Sequence, residues 1–125
     1  MIEAGSSASI SFTTDESSTA IALGSGDVAV LGTPKVVALI EEAAVAALAG
    51  QIEAGSTTVG THISVDHLAP TGVGVTVIAA ATVTRVERNK IEIVARVMEG
   101  DTVVAKGTHT RFIVDRTRFE ASVSD

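Results

Sequence analysis

The chain has 125 residues, 46% of them hydrophobic, with a formal net charge of −6 and no cysteine. That length suits one domain, residues 1–125, burying roughly two thirds of its unfolded surface, and the positive mean hydropathy argues against disorder. The acidic balance and 2% aromatic content exclude a phosphate-tracking or base-stacking nucleic-acid binder, no apolar run reaches the roughly 20 residues of a membrane span, and the missing cysteines remove disulfides, thiolate catalysis and sulfur-ligated metals.

The opening residues Met1-Ile2-Glu3-Ala4-Gly5 lack the basic-then-apolar order of a secretory signal, so the cytoplasm is the expected location. Alternation through Ser9, Ile10, Ser11, Phe12 and Thr13 predicts a first strand. Asp15-Glu16-Ser17-Ser18 supplies helix-start chemistry, and Ala20, Ile21 and Leu23 before Gly24-Ser25-Gly26 predict one or two helical turns ending in a glycine loop. Asp27 to Leu31 is read as a short strand. The strongest helix follows, with Thr33 as its N-cap, Pro34 at the first helical position and Gly50 as its terminator.

Strand patterns then continue to the end. Thr57 to Leu68, Val73 to Glu87, Lys90 to Glu99 and Thr102 to Asp115 are rich in Val, Ile and Thr, with turns at Arg88-Asn89 and Gly100-Asp101, and the last three form a meander of hairpins. Residues of about 120–125 read as a frayed tail. One long helix followed by consecutive antiparallel strands is an α+β order. The helix is rich in small side chains, Ala38, Ala43, Ala44, Ala46, Ala47 and Ala49, which permit close approach by a curved sheet. An antiparallel sheet wrapped around one central helix is the hotdog architecture.

Helical spacing places Glu41 in a stripe with Val37, Ala44, Val45 and Leu48, whereas Glu42 lies beside Ala38 and Ala46. On the following strand, parity puts Val59, Thr61, Ile63, Val65 and His67 on the helix-facing side and His62, Ser64 and Asp66 on the other. That parity rules out a triad of Ser64, Asp66 and His67. An inward Glu41 and His67 beside the capping Thr33 would meet at one helix-sheet boundary, and buried ionisable groups are costly unless paired or functional. On the last strand, His109 and Arg111 align with Val103, Ala105 and Ile113 on a largely apolar face. A metal held by Glu41, His67 and His109 would lack any recognised ligand spacing.

These residues also carry a resemblance. Leu31-Gly32-Thr33-Pro34 leading to Leu39-Ile40-Glu41, Val59-Gly60-Thr61 leading to His67-Leu68-Ala69-Pro70-Thr71, and Gly107-Thr108-His109-Thr110-Arg111 resemble the fluoroacetyl-CoA thioesterase family of hotdog proteins from about Gly24 to Phe119. The resemblance implies that Thr33, Glu41 and His67 stand at catalytic positions, that Gly60 lines the acyl site through its backbone, and that Arg111 is a substrate-binding pocket arginine. It further implies hydrolysis of a small acyl-CoA, with CoA as part of the substrate and no separate cofactor or metal, in a homodimer whose pocket lies at the interface. The lid phenylalanines of the fluoroacetate-specific enzyme would fall at Gly24 and Asp27, so a different acyl group is expected. Two other readings share the fold: a hotdog enoyl-CoA hydratase, which typically pairs Asp with His, and a non-catalytic acyl-CoA binding module.

Overall fold

A computed structural model describes residues 2–123. Strand β1 is Ser7–Thr13; a 3-10 turn at Glu16–Ser18 and a short helix α1, Ala20–Leu23, lead to the long helix α2, Thr33–Ala47. Strands β2 (Ser56–His67), β3 (Thr76–Glu87), β4 (Lys90–Glu99) and β5 (Thr102–Asp115) follow, and the short helix α3 spans Arg116–Ala121. All strand pairs are antiparallel, in the order β1-β3-β4-β5-β2. The hairpins β3-β4 and β4-β5 turn where the sequence places them, with Arg88 at φ 56° and Gly100 at φ 57°. β2 pairs with β5 rather than with its successor, so it forms one edge of the sheet while β1 forms the other.

The sheet curls around α2 because the two surfaces are complementary in size. Val36, Leu39, Ile40, Ala43, Ala44 and Ala47 form the buried face of the helix. All of these but Ala47 pack in one cluster with Val77, Ala79, Ala81 and Val83 from β3, Ile91, Ile93, Ala95 and Val97 from β4, and Val104 and Ala105 from β5. Strict alternation on β3 buries Val77, Ala79, Ala81 and Val83 and turns Ile78 and Thr82 away. Each fully buried Leu, Ile or Val contributes about 1.5–3 kcal/mol, while the alanines let the helix approach the sheet closely.

Several boundaries differ from the sequence reading. Asp27 to Leu31 forms no strand: residues 27–30 are bend, and Leu31 makes only an isolated bridge to Thr19. Thr33 is not the N-cap. Gly32 holds that position without a side-chain cap, and the helix begins at Thr33, one residue earlier than the Ser/Thr rule suggests, so Pro34 is its second residue. The segment read as tail is helical through Ala121, because the Asp115 carboxylate accepts from the Arg118 backbone N–H and caps α3; residues 124 and 125 lie outside the described residues.

Three register shifts interrupt the alternation: one between Val83 and Arg85 where β3 meets β4, and two that involve β5. Of these two, one lies between Gly60 and His62 on β2, leaving Thr61 unpaired with β5. The other lies between Val97 and Met98, opposite Val103 to Ala105, and it takes Val103 out of line with Ala105 while Val104 becomes fully buried.

Close approach of β2 and β5 also depends on Gly107, where an added Cβ would run into the Ser64 carbonyl. Gly107→Ala is therefore expected to lower stability by about 1–3 kcal/mol. A fall in the urea midpoint at unchanged slope would show it, and an unchanged midpoint would refute the steric account.

Candidate active site

The N-terminal end of α2 is fixed by backbone contacts from three segments. The Leu31 N–H donates to the Thr71 carbonyl at 2.8 Å, the Gly32 N–H to the Ser18 carbonyl at 2.9 Å, and the Ala20 N–H to the Val30 carbonyl at 2.8 Å. Gly32 is favoured here by space, since a Cβ would crowd the Ala20 Cα at 3.1 Å. Because Thr33 follows the cap, its hydroxyl is not consumed by the helix and instead lies 2.8 Å from His67 Nδ1, where the donor depends on the imidazole tautomer. His67 ends β2 on the inward parity, as expected from Ile63 and Val65. Its other ring nitrogen, Nε2, is buried and has no hydrogen-bond partner among the described residues.

Glu41 belongs to a second group. It does not lie in the buried row: the line Val37, Glu41 and Val45 runs along the margin of the helix face, and the Glu41 side chain retains 43% exposure. Alanine-rich helices carry too little bulk to define a face, and Val36, Leu39 and Ile40 rotate the buried stripe away from Glu41. From that margin the carboxylate reaches Arg111, with Oε2 3.9 Å from Nη1.

The Gly60/His62 shift determines what surrounds that carboxylate. Upstream of it the sides are exchanged relative to simple alternation, so Gly60 pairs with the inward Arg111 and Thr58 with Ile113, while Thr61 is exposed. The expectation that Val59 and Thr61 face inward with His67 is thereby corrected. A Cβ on Gly60 would stand 2.9 Å from His109 Cε1, 3.0 Å from Glu41 Oε2 and 3.3 Å from Arg111 Nη1. Three functional side chains thus converge on a space that only glycine leaves open.

His109 and Arg111 are both buried. The guanidinium donates from Nε to Thr58 Oγ1 at 3.0 Å, from Nη2 to the Thr58 carbonyl at 3.0 Å, and from Nη1 to His109 Nε2 at 3.1 Å. A guanidinium only donates, so Nε2 accepts and the His109 proton resides on Nδ1, which donates to the His62 carbonyl at 2.7 Å. Burial lowers the His109 pKa from the ordinary 6.5; the His62 carbonyl raises it, Arg111 lowers it and Glu41 raises it, with lowering dominant. Burial likewise lowers the Arg111 pKa against the opposing pull of Glu41, and the guanidinium remains charged.

Thr33-His67 and Glu41-Gly60-Arg111-His109 are therefore two clusters, not one. Glu41 follows Thr33 by two turns and a fraction, or about 12 Å along the helix axis, and among the described residues no hydrogen bond or ion pair joins Glu41 to Thr33 or His67. The convergence expected within one chain is divided by the helix pitch. Thr58 was not anticipated; a threonine two residues from a strand glycine carries no distinctive signal until the shift turns it inward.

A helix enclosed by an antiparallel sheet, with a carboxylate on its flank and a hydroxyl-imidazole pair at its N-terminus, defines a hotdog protein of the thioesterase class. A family profile described as fluoroacetyl-CoA-specific thioesterase matches residues 14–117. The fluoroacetyl-CoA thioesterase of Streptantibioticus cattleyicolor is 34% identical over 94 residues, covering 75% of this chain and 68% of that protein. A solved structure of the fluoroacetyl-CoA thioesterase FlK superposes with a TM-score of 0.92 at 28% identity, over 98% of this chain and 96% of that one. The fold recurs in a hot-dog-like protein from Thermanaerovibrio acidaminovorans, with a TM-score of 0.89 at 24% identity over 98% and 90% of the two chains. The chain belongs to the fluoroacetyl-CoA-specific thioesterase family, and it is a thioester hydrolase.

The buried imidazole has a consequence for stability. The unfolded chain protonates His109 near 6.5, whereas the folded protein resists protonation until lower pH, so in that interval the unfolded state binds more protons. Stability is expected to fall as pH drops below about 6.5. The groups facing this imidazole are Arg111 on its own strand, His62 on β2 and Glu41 on α2. His109→Gln should flatten this part of the curve of unfolding free energy against pH, and a variant curve parallel to wild type between pH 5 and 7 would assign the slope to other groups.

Proposed function

We propose that this protein hydrolyses a small acyl-CoA thioester other than fluoroacetyl-CoA, as a homodimer in the cytoplasm, with Thr33, Glu41 and His67 as its catalytic residues. The observation that carries the reading is the partly exposed Glu41 carboxylate held over Gly60 beside a buried guanidinium. It is placed to activate a water or to attack a carbonyl carbon itself. In either route a water oxygen ends on the acyl carbon, the carbon-sulfur bond breaks, and CoA leaves as the thiolate. His67 moves the proton and supports the leaving thiolate, and Thr33 orients it through the 2.8 Å contact. The start of α2 supplies positive dipole for the developing oxyanion. Gly60 lines the acyl site, and Arg111 forms its rear wall as the substrate-binding arginine.

The dimer is supported by the division of the site. A two-fold arrangement that set the Glu41 cluster of one protomer against the hydroxyl-imidazole pair of the other would join the clusters that lie about 12 Å apart along the helix of a single chain. β2, an edge strand, is free to pair with a second copy. Substrate choice is supported by what borders the helix start: Gly24 and Asp27 lie in the exposed stretch after α1, which contains no aromatic residue. The absence of cysteine suits a reducing compartment.

Free-thiol release from short, branched, aromatic and halogenated acyl-CoAs tests the chemistry. Wild type should turn over at least one nonfluorinated substrate faster than fluoroacetyl-CoA, with Glu41→Gln and His67→Ala each lowering kcat about 10²–10⁴-fold. Calorimetric binding without thiol release would turn the reading toward a binding module, and a hydrated enoyl-CoA product would turn it toward a hydratase. Mixing the two inactive variants and allowing subunits to exchange should restore activity, because one heterodimer site then holds both native residues. No restoration, despite demonstrated exchange, would place the whole site within one protomer.

A further inference from the structure

His109 has no part in the chemistry described above, yet it is one of the most buried polar residues of the chain, at 2% exposure. It touches neither Thr33 nor His67 through any hydrogen bond. Both of its ring nitrogens are committed, Nδ1 to the His62 carbonyl at 2.7 Å and Nε2 to Arg111 at 3.1 Å. The His62 carbonyl stands at the strand's register shift, so the imidazole ties the irregular point of β2 to the guanidinium. Thr58 holds the other side of that guanidinium through two bonds. The remaining direction at Nη1 leads to Glu41 Oε2, 3.9 Å away.

We infer that His109 is a positioning residue: as an Nδ1-protonated imidazole it anchors Arg111 so that the guanidinium faces the Glu41 carboxylate across Gly60. The Arg111 donors engaged by Thr58 fix the near side of the plane, and His109 supplies the acceptor that prevents the far side from rotating. A cationic imidazole would have no lone pair to offer Arg111. A hydrocarbon in its place would leave a buried guanidinium N–H without a partner, which costs more than the net worth of the bond. The catalytic consequence rests on the hydrolase function proposed above, whereas the anchoring itself does not.

The test therefore has two arms. Long-range proton-nitrogen correlation spectra of the substrate-free protein should show His109 protonated on Nδ1 at neutral pH, and the slowly exchanging Arg111 guanidinium signal should be lost in His109→Leu and kept in His109→Gln, whose side-chain oxygen can accept in place of Nε2. Kinetically, His109→Leu should lower kcat about 10–100-fold with KM nearly unchanged, and His109→Gln should recover most of it. An Nε2-protonated or cationic imidazole at neutral pH overturns the inference, as does wild-type kcat in His109→Leu. If the leucine variant does not fold, the wild-type tautomer and the glutamine variant still decide. If wild type releases no thiol from any substrate, the hydrolase assignment fails while the spectroscopic arm continues to judge the anchor.

Discussion

The extra residue at Thr61 is the constraint on which this site depends. A uniform β2 would keep one parity from Thr57 to His67, and either Gly60 or His67 would then face away from α2. The shift between Gly60 and His62 lets both look inward. It also presents the His62 carbonyl to His109 and brings Thr58 under Arg111. Bulges re-aim side chains in this way near functional sites because a single inserted residue exchanges the two faces of every position on one side of it.

Burial follows from the same geometry. Arg111 and His109 sit on a strand face otherwise occupied by Ala105 and Ile113, an environment hostile to charge. They are stable there because each polar atom meets a partner, in a chain from the His62 carbonyl through imidazole and guanidinium to a carboxylate at the solvent margin. The charge is neutralised at the edge, where Glu41 remains partly hydrated, so the interior holds no isolated ion.

Much of the architecture was legible in the sequence because it rests on periodicity and turn chemistry. The bounds of β4 and β5 follow from alternation between Arg88-Asn89 and Gly100-Asp101, and the small residues of α2 indicate a tight enclosure. His67 was placed correctly because it lies downstream of the register shift; Val59 and Thr61 were not, because an inserted residue leaves no mark on a Val-Gly-Thr-His run. The ordinary preference for hydroxyls points to Thr33 as the cap, yet Gly32 occupies it, where the Ala20 backbone packs close enough to crowd a Cβ. Glu41 was assigned to the buried row because alanines count as apolar without supplying bulk. The separation of Thr33 from Glu41 is a matter of helix pitch, which spacing alone encodes but a shared face conceals.

The hydrogen bond from Leu31 to Thr71 bears on how this scaffold can diverge. It clamps the residue two before Thr33 to the residue four after His67, so the short Leu68-Ala69-Pro70 connection acts as a spacer of fixed length between the hydroxyl and the imidazole. Surface connections ordinarily accept insertions. Here one added residue would move the two partners out of step while leaving helix, sheet and core intact, so a loop that looks dispensable for folding sets the alignment of the site.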